Sequence, residues 1–501
     1  MKSILFLILL LISTGFANAQ ILPADRRIDW NPGIPGGIPK ITGPVKNIMD
    51  YGADPKGVND SHDAIVAAMN ALPQSGGVVF IPEGTYKVNE VIRITRNNIV
   101  FRGTGVQSRL LMGNRGSSVS VEKRSNGEWQ KITGGFEKGS KTLTVEDGSK
   151  FKSGLFAEIE QDNDPEVMYT KPEWNQSWSK SAVGQIFAVD RVNKNTITLK
   201  TPLHLTFSPT LNVKVRPMDM VTHVGFENLY IEKTVASGAT LEFNNAAYCW
   251  ITGVESYHTR TSHVNLARCL DNTITMNFFH RSYSYGGGGS GYGISCDQHT
   301  TDILVENNVF DSLRHAMLVQ VGSNGNVFAY NYSTHAIQGD GETNLNVGWD
   351  PPDISIHGHQ AFMNLYESNE LDEIGISDYW GPAGPGNTFL RNKVTKEGIF
   401  FYDKTQKQNL IGNVTPLIKD EDHKSSDNLL QGNVVNGTVN WQPGMPRDLP
   451  KSFYLHAAPA FFHGATWPVF GPDVSQNLKL PAQIRFESGH PTVPMVTSPR
   501  N

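Results

Sequence analysis

The chain is short of several things that would point elsewhere. Its 501 residues include three cysteines, Cys249, Cys269 and Cys296, too few for a disulfide-dense scaffold and spaced like no metal motif. It has no basic excess: the formal charge is −5 and Lys and Arg are scattered. Nucleic-acid binding wants a basic stripe, so no nucleic-acid partner is expected. Past the first residues no apolar run approaches a membrane span. Helix signals are scarce too, with one good candidate in the whole chain.

The opening residues carry Lys2, an apolar core from Ile4 to Ile12 and Ala17-Asn-Ala19 before Gln20. This is the order of charged region, apolar region and small-residue cleavage site in a secretory signal. We expect residues 1–19 to be removed and the mature chain to be secreted or periplasmic. No cysteine follows the cleavage site, which argues against a lipoprotein anchor.

The strongest positive signal is a run of Asn-centred repeats: Val305-Glu-Asn-Asn-Val-Phe310, Val327-Phe-Ala-Tyr-Asn-Tyr332, Phe389-Leu-Arg-Asn-Lys-Val394, Leu410-Ile-Gly-Asn-Val414 and Leu429-Leu-Gln-Gly-Asn-Val434. Each joins short apolar alternation to a polar Asn. Where no insertion intervenes they lie roughly 20 to 25 residues apart, one turn of a β-solenoid. Internal Asn ladders would satisfy amides at the turns, so these residues read as structural. The cysteines precede successive repeat strands. Stacked about 4.8 Å apart they would be within disulfide reach, although buried free thiols are the favoured reading.

Ahead of the repeats, residues 20–43 are rich in Pro and Gly and read as an extended arm. The helix candidate is Asn59–Leu72, capped by Asp60 or Ser61, with an apolar face of Ile65, Ala68, Met69 and Leu72. Gly76-Gly77 ends it, and Val78–Pro82 and Gly84–Val88 read as strands. A solenoid must cover its first turn, and this helix suits that task. Asp50-Tyr-Gly-Ala-Asp54, Asn59-Asp60 and Gly76-Gly-Val-Val-Phe-Ile-Pro-Glu-Gly-Thr-Tyr86 resemble the opening of the pectate-lyase-like superfamily of right-handed parallel β-helix enzymes. Tyr285-Gly-Gly-Gly-Gly-Ser-Gly-Tyr292, Pro459-Ala-Phe-Phe-His463 and Trp467-Pro-Val-Phe-Gly-Pro472 look like stretches of secreted bacterial members. The resemblance implies the fold and leaves the reaction open, since relatives include lyases, hydrolases, epimerases and tailspikes.

The expected architecture is all-β: a right-handed parallel β-helix with an N-terminal capping helix and an inserted small β subdomain. The cap and first turns occupy 44–116. The repeat grammar lapses over 117–217, where Lys141–Val145, Leu155–Ile159, Gln185–Val189 and Thr196–Leu199 alternate like antiparallel strands. Regular turns resume over 218–440, and 441–501 reads as a C-terminal strap over the last turn. The insertion's loop from Asp162 to Lys180 holds Trp174 and Trp178, which either stack on sugars or pin the loop.

Eight of the 15 His fall between Tyr257 and Trp380, among Tyr and Arg. β-Elimination from a uronate needs a donor that neutralises the carboxylate, a base for the neighbouring proton and an acid for the leaving oxygen. Aligning Ser262–Asn265, Gly291–Ile294, Arg314–Met317 and Ile356–His359 puts His263, Tyr292, His315 and His357 in one column, with parity uncertain by one residue at Tyr292. These four and Arg314 are the catalytic candidates; His258, Arg260, Arg281, His359, Asp378, Tyr379 and Trp380 are the substrate-binding candidates. His357-Gly-His359 could offer two metal ligands but lacks an obvious third, so no metal is assigned. Asp297, Asp302, Asp311, Asp340, Asp350 and Asp353 leave calcium open. The expected protein is a monomeric polysaccharide lyase on an acidic glycan of the ulvan, alginate or pectate type. A glycoside hydrolase or a noncatalytic glycan-binding solenoid is the alternative.

Overall fold

The computed structural model describes residues 21–123, 125–339, 351–475 and 477–492. The signal segment, Asp340 and Asp350 lie outside the described residues. Each turn of the coil contributes three short strands, as in Leu304–Glu306, Val309–Asp311 and His315–Val319. The next turn repeats them one rung on, in parallel and in register: Leu304 beside Val327, Phe310 beside Ser333, Met317 beside Ile354. Twelve first-position strands form one sheet, and the other two positions form the remaining faces of a right-handed parallel β-helix.

The Asn repeats build the corners. Asn277, Asn308, Asn331, Asn369, Asn392, Asn413 and Asn433 stack so that each accepts, through its side-chain oxygen, from the one before it. Asn331 donates its backbone N–H and its Nδ2 to Asn369 Oδ1 at 3.1 and 3.0 Å, and Nδ2 also reaches the Val305 carbonyl at 2.9 Å. The residue before each Asn is left-handed, from Ser368 at φ +53° to Gly432 at φ +64°, which bends the chain from the first sheet to the next face. A second ladder runs through Asn326, Asn364, Asn387, Gln408 and Asn428 at the other end of the same strands. The two are five residues apart and frame each three-residue strand. Buried amides without these partners would each cost about 1–3 kcal/mol.

Helix His62–Asn70 covers the open first turn and buries Ala64, Ile65, Ala68 and Met69 in the core. Asp60 Oδ1 accepts from His62 N at 3.0 Å, while Ser61 Oγ is used instead by Asp54 N. All three cysteines are free and buried. Burial pushes the Cys249 thiol up to about 12, so it packs as a neutral apolar group.

A closed six-stranded antiparallel barrel is inserted in the coil, from Gln130–Gly134 to Lys214–Met218. Strand Val119–Glu122 ahead of it pairs in the coil. The barrel sits on successive turns: Ile186 N donates to Thr301 Oγ1 at 3.1 Å, Asn324 Nδ2 to Gly184 O at 2.9 Å, and Phe362 and Met363 join the barrel's core. The arm lies lengthwise on the first sheet. Arg26 donates to Asp427 O at 2.7 Å, Trp30 Nε1 to Met363 O at 2.8 Å, and Ile34 packs against Val78 and Val100.

The C-terminal segment also runs lengthwise, back along the coil. Arg391 donates to Phe470 O and Asp473, Trp467 Nε1 to Tyr330 Oη, and Tyr454 Oη to Glu306, before helix Pro481–Glu487 sets Phe486 against Phe278. The reason is an apolar outer stripe of Leu304, Val327, Leu365, Leu390 and Ile411, which must be covered along its whole length. The last turn ends instead in a hairpin between Asn433–Val435 and Thr438–Asn440.

Candidate active site

Register decides which groups meet on the third face. Tyr292 stands beside His315, as the sequence alignment expects, but the third member of that column is Ser262 and not His263. The cause is a doubled inward step. Val264, Ile294 and Met317 belong to the core, yet so does Ala316, and a side chain at Gly293 would strike Phe310 inside the coil. Two consecutive residues therefore face inward, and strict alternation fails there. His263 falls on the inner side. It accepts from Ser256 Oγ at 2.8 Å and donates to the Arg281 carbonyl at 3.0 Å, and burial lowers its pKa to about 3.

Tyr292 and His315 sit at the outer corner with ring centroids 5.2 Å apart. His315 donates Nδ1–H to Pro352 O at 2.7 Å, which leaves Nε2 as the lone-pair nitrogen. Burial, then the Arg314 charge, lowers it to about 3, so the ring is neutral. Burial raises the Tyr292 hydroxyl, which stays protonated. Arg314 donates to Gly286 O at 2.7 Å. Gly291 needs its glycine: at φ +74° any side chain would meet the Ser284 carbonyl.

His357 stands in a different column, one residue past Ile356, above Gln320, Asp297 and Ala267. Its Nδ1–H donates to Asp378 Oδ2, while Trp380 N donates to Asp378 Oδ1 at 3.0 Å. Asp378 thereby fixes the tautomer that leaves Nε2 as the lone-pair nitrogen. Asp297 interacts with the Gln320 side chain, and burial raises it to about 6. Tyr292 begins and Asp297 ends one strand, so the two columns stand at opposite ends of one face. Asn265, Ala267, Asp297, Gln298, Gln320 and Trp178 line a hollow in it. Asp297 is among the acids noted as calcium candidates in the sequence; Gln320 and Asn265 carried no signal there beyond their place on the strands.

The remaining candidates divide. His359 does not share a face with His357, because the strand ends at Ile356 and Gly358 and His359 are left-handed at φ +62° and +51°. Its Nε2–H donates to Trp174 O at 3.1 Å, its Nδ1 has no hydrogen-bond partner, and burial lowers it to about 4. The two imidazoles thus do not form the metal pair that their spacing suggests. Tyr379 is exposed and Trp380 lies 5.0 Å from it. His258 stacks between Tyr257 and Tyr283 on the neighbouring face, at 3.9 and 4.7 Å. Arg260 donates to Ser290, and Arg281 is exposed.

The carboxylates considered for calcium are dispersed: Asp311 pairs with His335 at 2.7 Å and Asp353 accepts from Ser333 at 2.5 Å. Among the described residues, Glu158, Glu160 and His299 have metal-like spacing. Glu158 is already held by His299 at 2.7 Å and Arg216 at 2.6 Å, and Glu160 by Lys214 at 3.1 Å. That group is an ionic clamp under the barrel, since cationic side chains occupy the place of an ion.

A family profile described as rhamnogalacturonase A/epimerase, pectate lyase-like, matches residues 45–158. No curated protein sequence matches the chain. Among solved structures it is similar to the tailspike protein gp49 from Pseudomonas phage LKA1, with TM-score 0.56 and 16% identity over 74% of this chain and 64% of that one. The tailspike gp61 of Pseudomonas phage phi297 gives TM-score 0.56 and 15% identity over 79% and 75%. The chain thus spans less than two thirds of the gp49 structure, and identities of this order speak to fold alone. Coil and likeness together show a right-handed parallel β-helix, and residues 45–158 are similar to the pectate lyase-like family that the profile describes.

Proposed function

We propose that the chain is a secreted, monomeric polysaccharide lyase that cleaves a uronic-acid-containing glycan of the ulvan, alginate or pectate type by β-elimination. The observation that carries this reading is the His357–Asp378 pair on the groove face beside Asp297 and Gln320. His357 Nε2 takes the proton beside the uronate carboxylate, and Asp378 stabilises the imidazolium that forms. The amides of Gln320 and Asn265 and the neutral acid of Asp297 hydrogen-bond the carboxylate, lowering the barrier to the carbanion. The bond to the leaving oxygen breaks as the ring double bond forms, and the Tyr292 hydroxyl gives that oxygen its proton. His315, with its fixed tautomer, orients Tyr292, and Arg314 adds positive potential to the corner.

A second reading, glycoside hydrolysis, draws on Asp297, since a carboxyl held neutral to about pH 6 suits a general acid. Its partner would have to be Asp378, whose two oxygens are already spent on His357 and the Trp380 amide. This is why elimination is preferred. The test is a panel of acidic glycans followed by ultraviolet absorbance of unsaturated uronate ends and by reducing-end release. Reducing ends without the absorbance would replace the lyase reading with the hydrolase one; neither signal with any glycan would remove both.

A further inference from the structure

The barrel's loop carries two tryptophans whose environments are opposite. Trp174 is wholly buried and its Nε1–H is spent on the Tyr379 carbonyl at 2.9 Å. Trp178, four residues on, is 38% exposed and lines the hollow that holds Asp297, Gln320 and Asn265. A large aromatic exposed in a hollow is unusual when a buried neighbour has already done the anchoring. The loop is also firmly held. Asn163 takes Ser179 O at 2.8 Å and Ala182 N at 2.7 Å, His359 reaches Trp174 O, and Lys171 pairs with Asp403.

From Trp178 a line of rings leads out of the hollow past His357. Trp178 meets His359 edge-on at 4.6 Å and Trp380 at 5.6 Å; Trp380 in turn lies 5.0 Å from Tyr379, itself 63% exposed. Trp380 is also 6.4 Å from the His357 ring. Such a line beside the proposed base suits a chain of pyranose rings, whose C–H faces pack on aromatic faces while their hydroxyls stay wet.

We infer that the inserted barrel supplies a sugar-binding subsite, with Trp178 as the platform for a pyranose next to the cleaved bond and Trp380 and Tyr379 extending it outward. The inference rests on the glycan-active reading of the groove and adds that affinity for it is lent by the insertion and not by the coil alone. Trp178 is a binding residue here and takes no part in proton transfer.

The test compares Trp178→Ala and Trp178→Phe with the parent chain, using oligosaccharides of increasing length from whichever glycan the panel identifies. KM for long oligomers should rise about tenfold in Trp178→Ala, equivalent to losing one good stacking contact, with kcat within about twofold and recovery in Trp178→Phe. Mobility in gels containing the glycan, measured in an inactive His357→Ala background, reads binding apart from turnover. Unchanged far-ultraviolet dichroism and melting temperature would show the fold intact. If Trp178→Ala kept parental KM, gel retardation and chain-length preference, the subsite would be refuted while the proposed chemistry stood. If the parent bound and cleaved no glycan in the panel, both would fall together.

Discussion

The first sheet and the third face are wound from the same turns and follow opposite rules. On the first sheet every strand from Val327 to Gln431 is three residues long, framed by an amide ladder at each end. On the third face successive strands run Ser262–Ala267, Tyr292–Asp297, His315–Val319 and Ile354–Ile356, and the next, Glu370–Ile376, starts on the second face and reaches the third at Ile374. There the inward step doubles at His263 and Val264, and buried imidazoles and carboxyls collect. A ladder requires a side-chain amide at every rung, Asn or, at position 408, Gln, because each amide depends on the next; a face without one can change length and residue type from turn to turn. Regularity holds the coil in register, and the proposed site lies where regularity is absent.

The contrast can be broken from the irregular side first. His357→Ala should lower kcat about 10³-fold, the usual worth of a positioned base, while leaving the melting temperature near the parent's. Equal activity in that variant would remove His357 from the chemistry. From the regular side, Asn369→Ala should cost about 3 kcal/mol in denaturant unfolding, since Asn331 loses the acceptor for both its N–H and its amide. Little change there would mean that the ladders decorate the corners without holding them. Asp378→Asn should lower kcat by about 10²-fold with KM nearly kept, because the ring loses the partner that sets its tautomer.

Two smaller tests sharpen the boundary between structure and chemistry. His263→Phe should cost about 1–2 kcal/mol through two lost internal hydrogen bonds, yet leave kcat within about twofold. A large fall in kcat at unchanged stability would return His263 to the catalytic group. Asp297 supplies a pH test. Burial raises its pKa, so the neutral acid persists to about pH 6 and the charge appears above that. The rate limb that falls above about pH 6 should therefore disappear in Asp297→Asn, read as kcat/KM across pH.

How much of this was legible in the sequence follows the same division. The coil, its capping helix and the barrel strands at Thr142–Val145 and Thr196–Leu199 are plain there, because period and turn chemistry repeat. The second ladder was equally readable, as Asn326 and Asn331, Asn364 and Asn369, and Asn387 and Asn392 recur at one spacing. It is easy to pass over beside the more obvious apolar strands. Tyr292 and His315 were aligned correctly from sequence. His263 and His357 do not align so, since a doubled inward step turns His263 into the coil and the pairing of Ile354 with Met317 sets His357 beside Gln320 instead of His315. Gln320 and Asn265 are ordinary strand residues until the register sets them beside Asp297.

The N-terminal arm has a consequence for the order in which the molecule is made. Its residues leave the ribosome ahead of the coil, yet Arg26 is held by Asp427 and Trp30 by the carbonyl of Met363. About 400 residues must be synthesised before the arm has its complete berth. The arm is made before the coil and is thus among the last parts to find its place, and its docking records that the coil beneath it is finished.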